Sequence, residues 1–405
     1  MRIAYVNETA GGGSIGRMTA ELAQRLSARG HTCRIYYASG TPRYADVRRI
    51  GTTADHKIHA VLSRLTGRQG CGSRLATERF VRDLLAFAPD VVHLQNLHAN
   101  YLHLPAFFRA LAGAHLPVVL TLHDGWFYTG KCTYPIASGC EKYRTGCGHC
   151  PQLFTDSINP TFFFDRTARC LADKARAYSS LTDLTVVGVS DWVTEQARFS
   201  ILAPYRPVTI LNFVDDAVFH PVSGDLRARL GLTGKFVVLA VASLFCTHKG
   251  YGELCDLAAS LPEEYAIVAV GRTEKPFPPR VVHIPHTDSA EELAALYSMA
   301  DVCLNATRYE TFGMVTAEAL CCGTPVVVYA NTATQEMVTP DVGIAVPDGA
   351  GAPALWRALA TVKSRGKSAY TAACLAAAPR FSLARAVTEH EELYRAAVHR
   401  AEKSL

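Results

Sequence analysis

The run Arg308-Tyr309-Glu310-Thr311-Phe312-Gly313-Met314-Val315-Thr316-Ala317-Glu318-Ala319-Leu320 holds two carboxylates eight residues apart. Solvated helices supply such pairs often. Here, however, Glu310 precedes a helical pattern, Gly313 opens it, and Glu318 falls among Ala and Leu. A carboxylate inside an apolar helix is costly unless a partner satisfies it, and the vicinal hydroxyls of a ribose are such a partner. Upstream, Ser243, His248, Lys249 and Gly250 follow an apolar run. Lys249 falls at a predicted helix start, where a cation and the helix N-terminus together suit a diphosphate. Near the N-terminus, Gly11-Gly12-Gly13-Ser14-Ile15-Gly16-Arg17 runs from an apolar segment into a helical one. Its glycines let a ligand approach the backbone, but the spacing is not the dinucleotide GxGxxG, and a plain tight turn fits equally well. His123-Asp124 follows another apolar run. It reads either as a packed histidine or as a catalytic one oriented by the neighbouring carboxylate.

Four cysteines, Cys132, Cys140, Cys147 and Cys150, lie within nineteen residues and end in Cys-Gly-His-Cys. That is the ligand count of a tetrahedral structural zinc site, with His149 as an outside candidate. Buried reduced thiols and a redox-active pair are the competing readings. Zinc would brace the long loop 125–159, because unstructured loops of that length are rare.

The elements that must hold these residues alternate. Short β-branched apolar runs at 3–6, 33–37, 91–94, 118–122, 184–189 and 208–211 are separated by helical patterns such as 15–28, 75–88 and 168–180. After a break at 212–223 the alternation resumes with strands at 236–241, 266–270, 281–284, 302–305 and 324–328. This is the pattern of parallel sheets covered on both faces. It predicts an α/β fold of two doubly wound domains, 1–214 and 215–381. A helical segment, 382–405, has no following strand and is expected to return to the first domain. In such sheets ligands bind beyond the carboxyl ends of the strands, which is where the stretches named above fall.

The 405 residues are 49% hydrophobic and 19% charged, which excludes a disordered chain. The longest apolar run is too short to span a bilayer, and the N-terminal residues read as a strand, so a cytoplasmic location is expected. Thirteen cysteines, most of them scattered, argue against a disulfide framework. The net charge of +5 is uneven: residues 43–82 hold nine Lys or Arg against Asp46, Asp55 and Glu78. No nucleic-acid-binding motif accompanies them, so nucleic acid is not an expected partner. Ile58, Val61, Leu62 and Leu65 share one face of a predicted helix flanked by Lys57 and Arg64. Such a helix either lies on an anionic membrane or packs into the first domain.

Together these motifs resemble the retaining glycosyltransferases of family 4, with the GT-B fold, and among them the bacterial enzymes of colanic-acid-type capsule and exopolysaccharide assembly. Glu310 and Glu318, with Phe312-Gly313 and Gly323-Thr324-Pro325, are similar to the paired-glutamate motif of that family. The likeness also takes in Gly13-Ser14-Ile15-Gly16-Arg17, Gly67-Arg68-Gln69-Gly70, the run 89–98 with Asn96 and His98, Thr121-Leu122-His123-Asp124-Gly125-Trp126, and the 212–221 linker. The resemblance implies two Rossmann-like domains facing across a cleft, with donor nucleotide in the second and acceptor in the first. It implies that Glu310 contacts the donor sugar, Glu318 the ribose, Lys249 the diphosphate, and His123 the transferring sugar. Gly12 and Gly13 would approach the diphosphate or the acceptor, and Arg308, Thr311, Phe312 and Gly313 would complete the donor site. Asn96, His98 and Asp124 would serve the acceptor. Many members carry a Gly-Arg-Leu run where this chain has Ala242-Ser243-Leu244, leaving Arg308 or His248 to supply the second phosphate cation. Gln95 stands where relatives often have a second His.

The expected reaction moves a sugar from a UDP- or GDP-sugar to a saccharide, lipid-linked in the leading case, with retained configuration. Its main demand is stabilising charge on the departing diphosphate. Asp215-Asp216 lacks the DxD spacing of metal-dependent transferases, so no cofactor is expected beyond the zinc reading. The alternative is a sugar-nucleotide isomerase, a 2-epimerase of the same architecture; a catalytically silent binding protein is a third reading. The lipid-linked acceptor and the basic helix together lead to an expected peripheral position on the inner face of the cytoplasmic membrane.

Overall fold

The computed structural model describes residues 1–404 with the exception of 157 and 288. Ser157, in the cysteine-bearing loop, and Leu405, at the end of the C-terminal segment, therefore lie outside the described residues.

Thirteen strands form two sheets among the described residues. The first contains β1 (Arg2–Thr9), β2 (Thr32–Ser39), β3 (Val47–Arg49), β4 (Val91–Leu94), β5 (Val118–Leu122), β6 (Leu184–Gly188) and β7 (Val208–Thr209), in the order β3-β2-β1-β4-β5-β6-β7. The second contains β8 (Phe236–Phe245), β9 (Tyr265–Thr273), β10 (Val281–Ile284), β11 (Val302–Asn305), β12 (Val326–Ala330) and β13 (Gly343–Pro347), in the order β10-β9-β8-β11-β12-β13. The pairings are parallel in both sheets. Strands β4, β5 and β11 are buried at every residue, as a sheet covered by helices on both faces requires. The chain divides into two compact units, Met1–Ile210 with Val387 onward, and Leu211–Ala386.

Two strands escape the sequence pattern. The exposed edge strand β3 reads Val-Arg-Arg, and β13 begins at a glycine. Strand β8 also runs past the expected end at Val241 to Phe245, through a shift of register between Val241 and Leu244.

The last helix, Leu383–Ser404, is tied to the first sheet by Tyr394. Its hydroxyl lies 2.6 Å from Nδ1 of His93 on β4 and 3.3 Å from the hydroxyl of Tyr5 on β1. The basic segment forms the helix Thr53–Thr66, started by a capping box of Thr52 and Asp55. Its buried residues are His59 and Ser63, while Ile58, Val61, Leu62 and Leu65 are 61, 51, 47 and 43% exposed. The reading in which its apolar face packs into the first domain is thereby corrected: that face is turned to solvent. Among the described residues no helix is long and apolar enough to cross a membrane.

Candidate functional site

In the second unit the strand order reverses between β8 and β11, and the residues that follow these two strands meet. Strand β8 ends in the short turn Thr247–Lys249, which passes through Gly250 (φ 79°) into the helix Tyr251–Ser260. Beyond β11 comes Glu310, and the Lys249 ammonium donates to its Oε1. Both side chains are largely buried, 24 and 21% exposed, so the pair is more than a solvated surface contact. The backbone N–H of Glu310 donates to Thr332 Oγ1 at 2.8 Å, which fixes the glutamate from behind. Gly313 caps the helix Met314–Cys321 at φ 97°, and a Cβ there would meet Thr334 Cγ2 at 2.5 Å. Only glycine fits. Thr311 and Phe312 are buried beside it.

The neighbouring side chains have partners of their own. Glu318 is buried inside the helix, and the Tyr297 hydroxyl donates to its Oε2 at 2.8 Å. The Arg308 guanidinium pairs with Glu253 at 2.5 Å. His248 stacks on Tyr309 with ring centroids 5.0 Å apart, and burial with the adjacent Lys249 lowers its pKa, so it is a poor cation. Glu253 and Tyr297 were legible only as a first-turn acid and a helical tyrosine. A further cation, Arg272 on β9, pairs in register with Leu244 and reaches the Ser243 carbonyl at 3.4 Å. It thus stands beside the Ala242-Ser243-Leu244 segment that lacks its own arginine.

In the first unit the order reverses between β1 and β4. The loop after β1 leads into the helix Gly13–Ala28, whose cap residue Gly12 makes no side-chain capping bond. Thr9 Oγ1 donates to the Gly12 carbonyl at 2.7 Å, and nothing lies within 4 Å of where a Cβ on Gly13 would point. The loop is therefore open to a ligand at Gly13, whose φ of 64° suits glycine.

After β4 and β5 comes a continuous polar chain. His93 Nδ1 meets Tyr394, its Nε2 lies 3.1 Å from the Gln95 amide nitrogen, and Gln95 Oε1 lies 2.5 Å from His123 Nε2. Thr121 Oγ1 also lies 2.7 Å from His93 Nε2, and one amide side chain links the two rings. Burial pushes the His123 pKa down to about 4, so this histidine is neutral across ordinary pH. Gln95 thus occupies the place of the second histidine and orients the first. Beside them His98 Nε2 lies 3.0 Å from Asp124 Oδ2, and Asp124 Oδ1 accepts the Trp126 backbone N–H at 2.8 Å. Burial works against charge on both, yet each raises the other's ionised fraction: the His98 pKa is raised and that of Asp124 lowered. Asn96 Oδ1 and His98 Nδ1 are buried without a hydrogen-bond partner among the described residues. Such atoms in a native site mark where a ligand or water belongs.

Comparison with known proteins follows the same division. Residues 11–152 match Glycosyltransferase Family 4, and residues 223–370 match Glycosyl transferases group 1. The chain belongs to these glycosyltransferases. It is 28% identical over 269 residues to the colanic acid biosynthesis glycosyl transferase WcaC of Escherichia coli, covering 64% of each chain. It is also 28% identical over 191 residues to the GDP-mannose-dependent phosphatidylinositol dimannoside mannosyltransferase of Mycobacterium tuberculosis, covering 44% of this chain and 49% of that one. The glycosyltransferase therefore spans half to just under two thirds of the length of these relatives. Among solved structures, Anabaena HepE in complex with UDP superimposes with a TM-score of 0.70 over 98% of this chain and all of that one, at 18% identity. The fold is the two-domain GT-B architecture.

The cysteine-bearing loop of this glycosyltransferase is ordered by short 3₁₀ turns at Trp126–Tyr128, Pro135–Ser138 and Lys142–Arg144. Cys132, Cys140, Cys147 and Cys150 all line one cavity of about 20 Å³. Burial pushes the Cys132 thiol up to about 12 and raises Cys147 and Cys150. Among the described residues no three His, Cys, Asp or Glu side chains are positioned to hold a metal ion. Lys174 braces the start of the loop. Its buried ammonium donates to the Trp126 carbonyl and, at 2.9 Å, to that of Thr129.

Proposed function

We propose that this glycosyltransferase moves a hexose from a UDP- or GDP-sugar to a lipid-linked saccharide, with retention of anomeric configuration, in cell-surface polysaccharide assembly. The observation that carries the reading is the Lys249–Glu310 pair at the reversal point of the second sheet, inside the segment matching Glycosyl transferases group 1. A sugar nucleotide offers both partners a replacement: its diphosphate takes Lys249, and the sugar hydroxyls donate to Glu310. Charge building on the leaving diphosphate is met by Lys249, by the first turn at Gly313, and by Arg272 beside Ser243. Tyr297 holds the Glu318 carboxylate in place for the ribose. Retention follows the resemblance, with the diphosphate oxygen taking the proton of the attacking hydroxyl. His123, neutral and aimed by Gln95, acts as a hydrogen-bonding group toward the sugar. The His98–Asp124 pair, with Asn96, serves the acceptor. The nucleotides named for HepE and for the mannosyltransferase support UDP and GDP as the two bases to try first.

A panel of UDP- and GDP-hexoses, scored for thermal protection and for acceptor-dependent release of nucleoside diphosphate, tests this. Release that requires a saccharide acceptor supports transfer. Conversion of the sugar nucleotide to an isomer without acceptor would move the reading to the isomerase alternative.

Peripheral membrane binding belongs to the same reading. It is supported by the exposed Ile58, Val61, Leu62 and Leu65 beside Lys57 and Arg64, and by Phe162, Phe163 and Phe164, which are 50, 67 and 54% exposed. The Phe162 N–H bonds to the Arg64 carbonyl at 2.9 Å, so the two apolar groups are neighbours. Flotation with anionic but not neutral vesicles, falling with salt, is the expected result; absence of flotation at low salt would remove it. Structural zinc at the four cysteines is likewise proposed, on their spacing and common cavity. An ion there would have to draw the sulfurs inward, so metal binding and tightening of the loop would occur together.

A further inference from the structure

The first unit contains a cavity of about 450 Å³ that belongs to none of the clusters above. That volume is within the roughly 300–1,000 Å³ range of small-molecule sites. It lies along the helices Leu104–Gly113 and Thr167–Ser179, with the loop 68–71 in its wall. Leu104, Phe108, Ala112 and Ala177 make it apolar, while the exposed guanidiniums of Arg68 and Arg109 line its solvent side. Neither arginine forms a salt bridge among the described residues, whereas Arg176 at the same cavity is held by Asp173.

Two features link the cavity to the rest of the unit. Gln69 lines it, is buried, and accepts the Trp126 indole N–H at 2.9 Å. Trp126 in turn donates its backbone N–H to Asp124 and packs edge-on to His98 at 6.0 Å. The cavity is therefore separated from the His98–Asp124 pair by one layer of side chains. On the other side Arg68 follows directly from the helix Thr53–Thr66, whose apolar face is exposed. An apolar hollow whose rim carries two guanidiniums without a carboxylate partner among the described residues, set between an exposed apolar surface and a polar cluster, matches a molecule with a hydrocarbon chain and a phosphate head.

We propose that this cavity binds the chain of a prenyl or acyl phosphate, with Arg68 and Arg109 meeting the phosphate, and so holds the lipid end of the acceptor. This rests on the reading of the chain as a transferase acting on a lipid-linked saccharide.

The test is calorimetry on the full chain without nucleotide sugar, comparing farnesyl diphosphate, inorganic pyrophosphate and farnesol. Farnesyl diphosphate should bind about tenfold or more tighter than either fragment, since burial of even a short run of methylenes has that effect. The Arg68→Gln/Arg109→Gln double variant, exposed and therefore safe for folding, should lose that advantage over farnesol. Ala177→Phe, which fills the cavity, should lose the advantage over pyrophosphate. Affinity for nucleoside diphosphate should stay unchanged in all variants. Equal affinity for pyrophosphate and farnesyl diphosphate, or wild-type affinity in both variants, would overturn the proposal. Sugar transfer to a soluble saccharide, measured alongside, separates the two ideas. Transfer without farnesyl diphosphate binding refutes the cavity assignment alone. Binding without any sugar transfer leaves the cavity as a lipid-phosphate site and refutes the proposed function.

Discussion

Replacing Lys249 by Met keeps the stem of the side chain and removes the charge, which separates its two roles. In the free protein the ammonium neutralises Glu310, whose side chain is only 21% exposed. Losing it strands a largely buried carboxylate, which costs more than the roughly 1 kcal/mol of an exposed pair. In the complex, the same ammonium is assigned to the diphosphate. A hydrogen bond to a charged group contributes about 1.5–3 kcal/mol, which corresponds to roughly ten- to hundredfold in affinity. Lys249→Met should therefore weaken nucleoside diphosphate binding by that factor and leave nucleoside binding unchanged. The double variant Lys249→Met/Glu310→Gln should recover the stability, because the stranded carboxylate is gone, but not the diphosphate affinity. Calorimetry with diphosphate and nucleoside, alongside urea unfolding of the single and double variants, gives both readouts. Equal loss for nucleoside and diphosphate, or no loss for either, would refute the assignment of Lys249 to the phosphates.

Glu310→Gln should lower sugar transfer by on the order of a hundredfold, the loss of one transition-state contact, while nucleoside diphosphate affinity is unchanged or tighter because Lys249 is released; steady-state kinetics with a saturating donor checks it. Acid should destabilise the first unit through its buried neutral histidines. His59 and His123 have pKa values lowered to about 4 by burial, so between pH 6.5 and 4 the unfolded chain binds protons that the folded chain does not. The stabilisation is complete above pH 6.5 and is lost as pH falls to 4, at about 3 kcal/mol for each histidine, and urea unfolding across that window should show the slope. If the four cysteines hold zinc, elemental analysis should find about one metal per chain, and Cys147→Ser should lose it with thermal stability; protein prepared without chelator and free of metal would leave the thiol reading.

The α/β architecture was legible because both sheets are covered: strands such as β4, β5 and β11 are continuous apolar runs, and helices such as Gly13–Ala28 and Leu104–Gly113 connect parallel neighbours. The edge strands β3 and β13 gave weak signals because one side of each lacks a partner. For the candidate site, local sequence located the carboxylates and the cation but not their partners. Lys249 and Glu310 are sixty-one positions apart, and nothing local marks that they meet. The same holds for Tyr297 satisfying Glu318 and Glu253 occupying Arg308: a buried carboxylate was recognisable, the residue that satisfies it was not. The helix Thr53–Thr66 left the opposite gap. Its periodicity identified an apolar face but could not say which way the face turns, because His59 and Ser63 rather than the aliphatics make the packing contact.

The central claim is transfer of a sugar from a nucleotide donor with its configuration kept, driven from the Lys249–Glu310 site. Proton NMR of the anomeric signal during transfer from a preferred α-linked UDP- or GDP-hexose tests it most directly. The account predicts an α-linked product from the wild type and a rate lower by on the order of a hundredfold in Glu310→Gln. A β-linked product, or undiminished transfer in that variant with its fold intact, would contradict it.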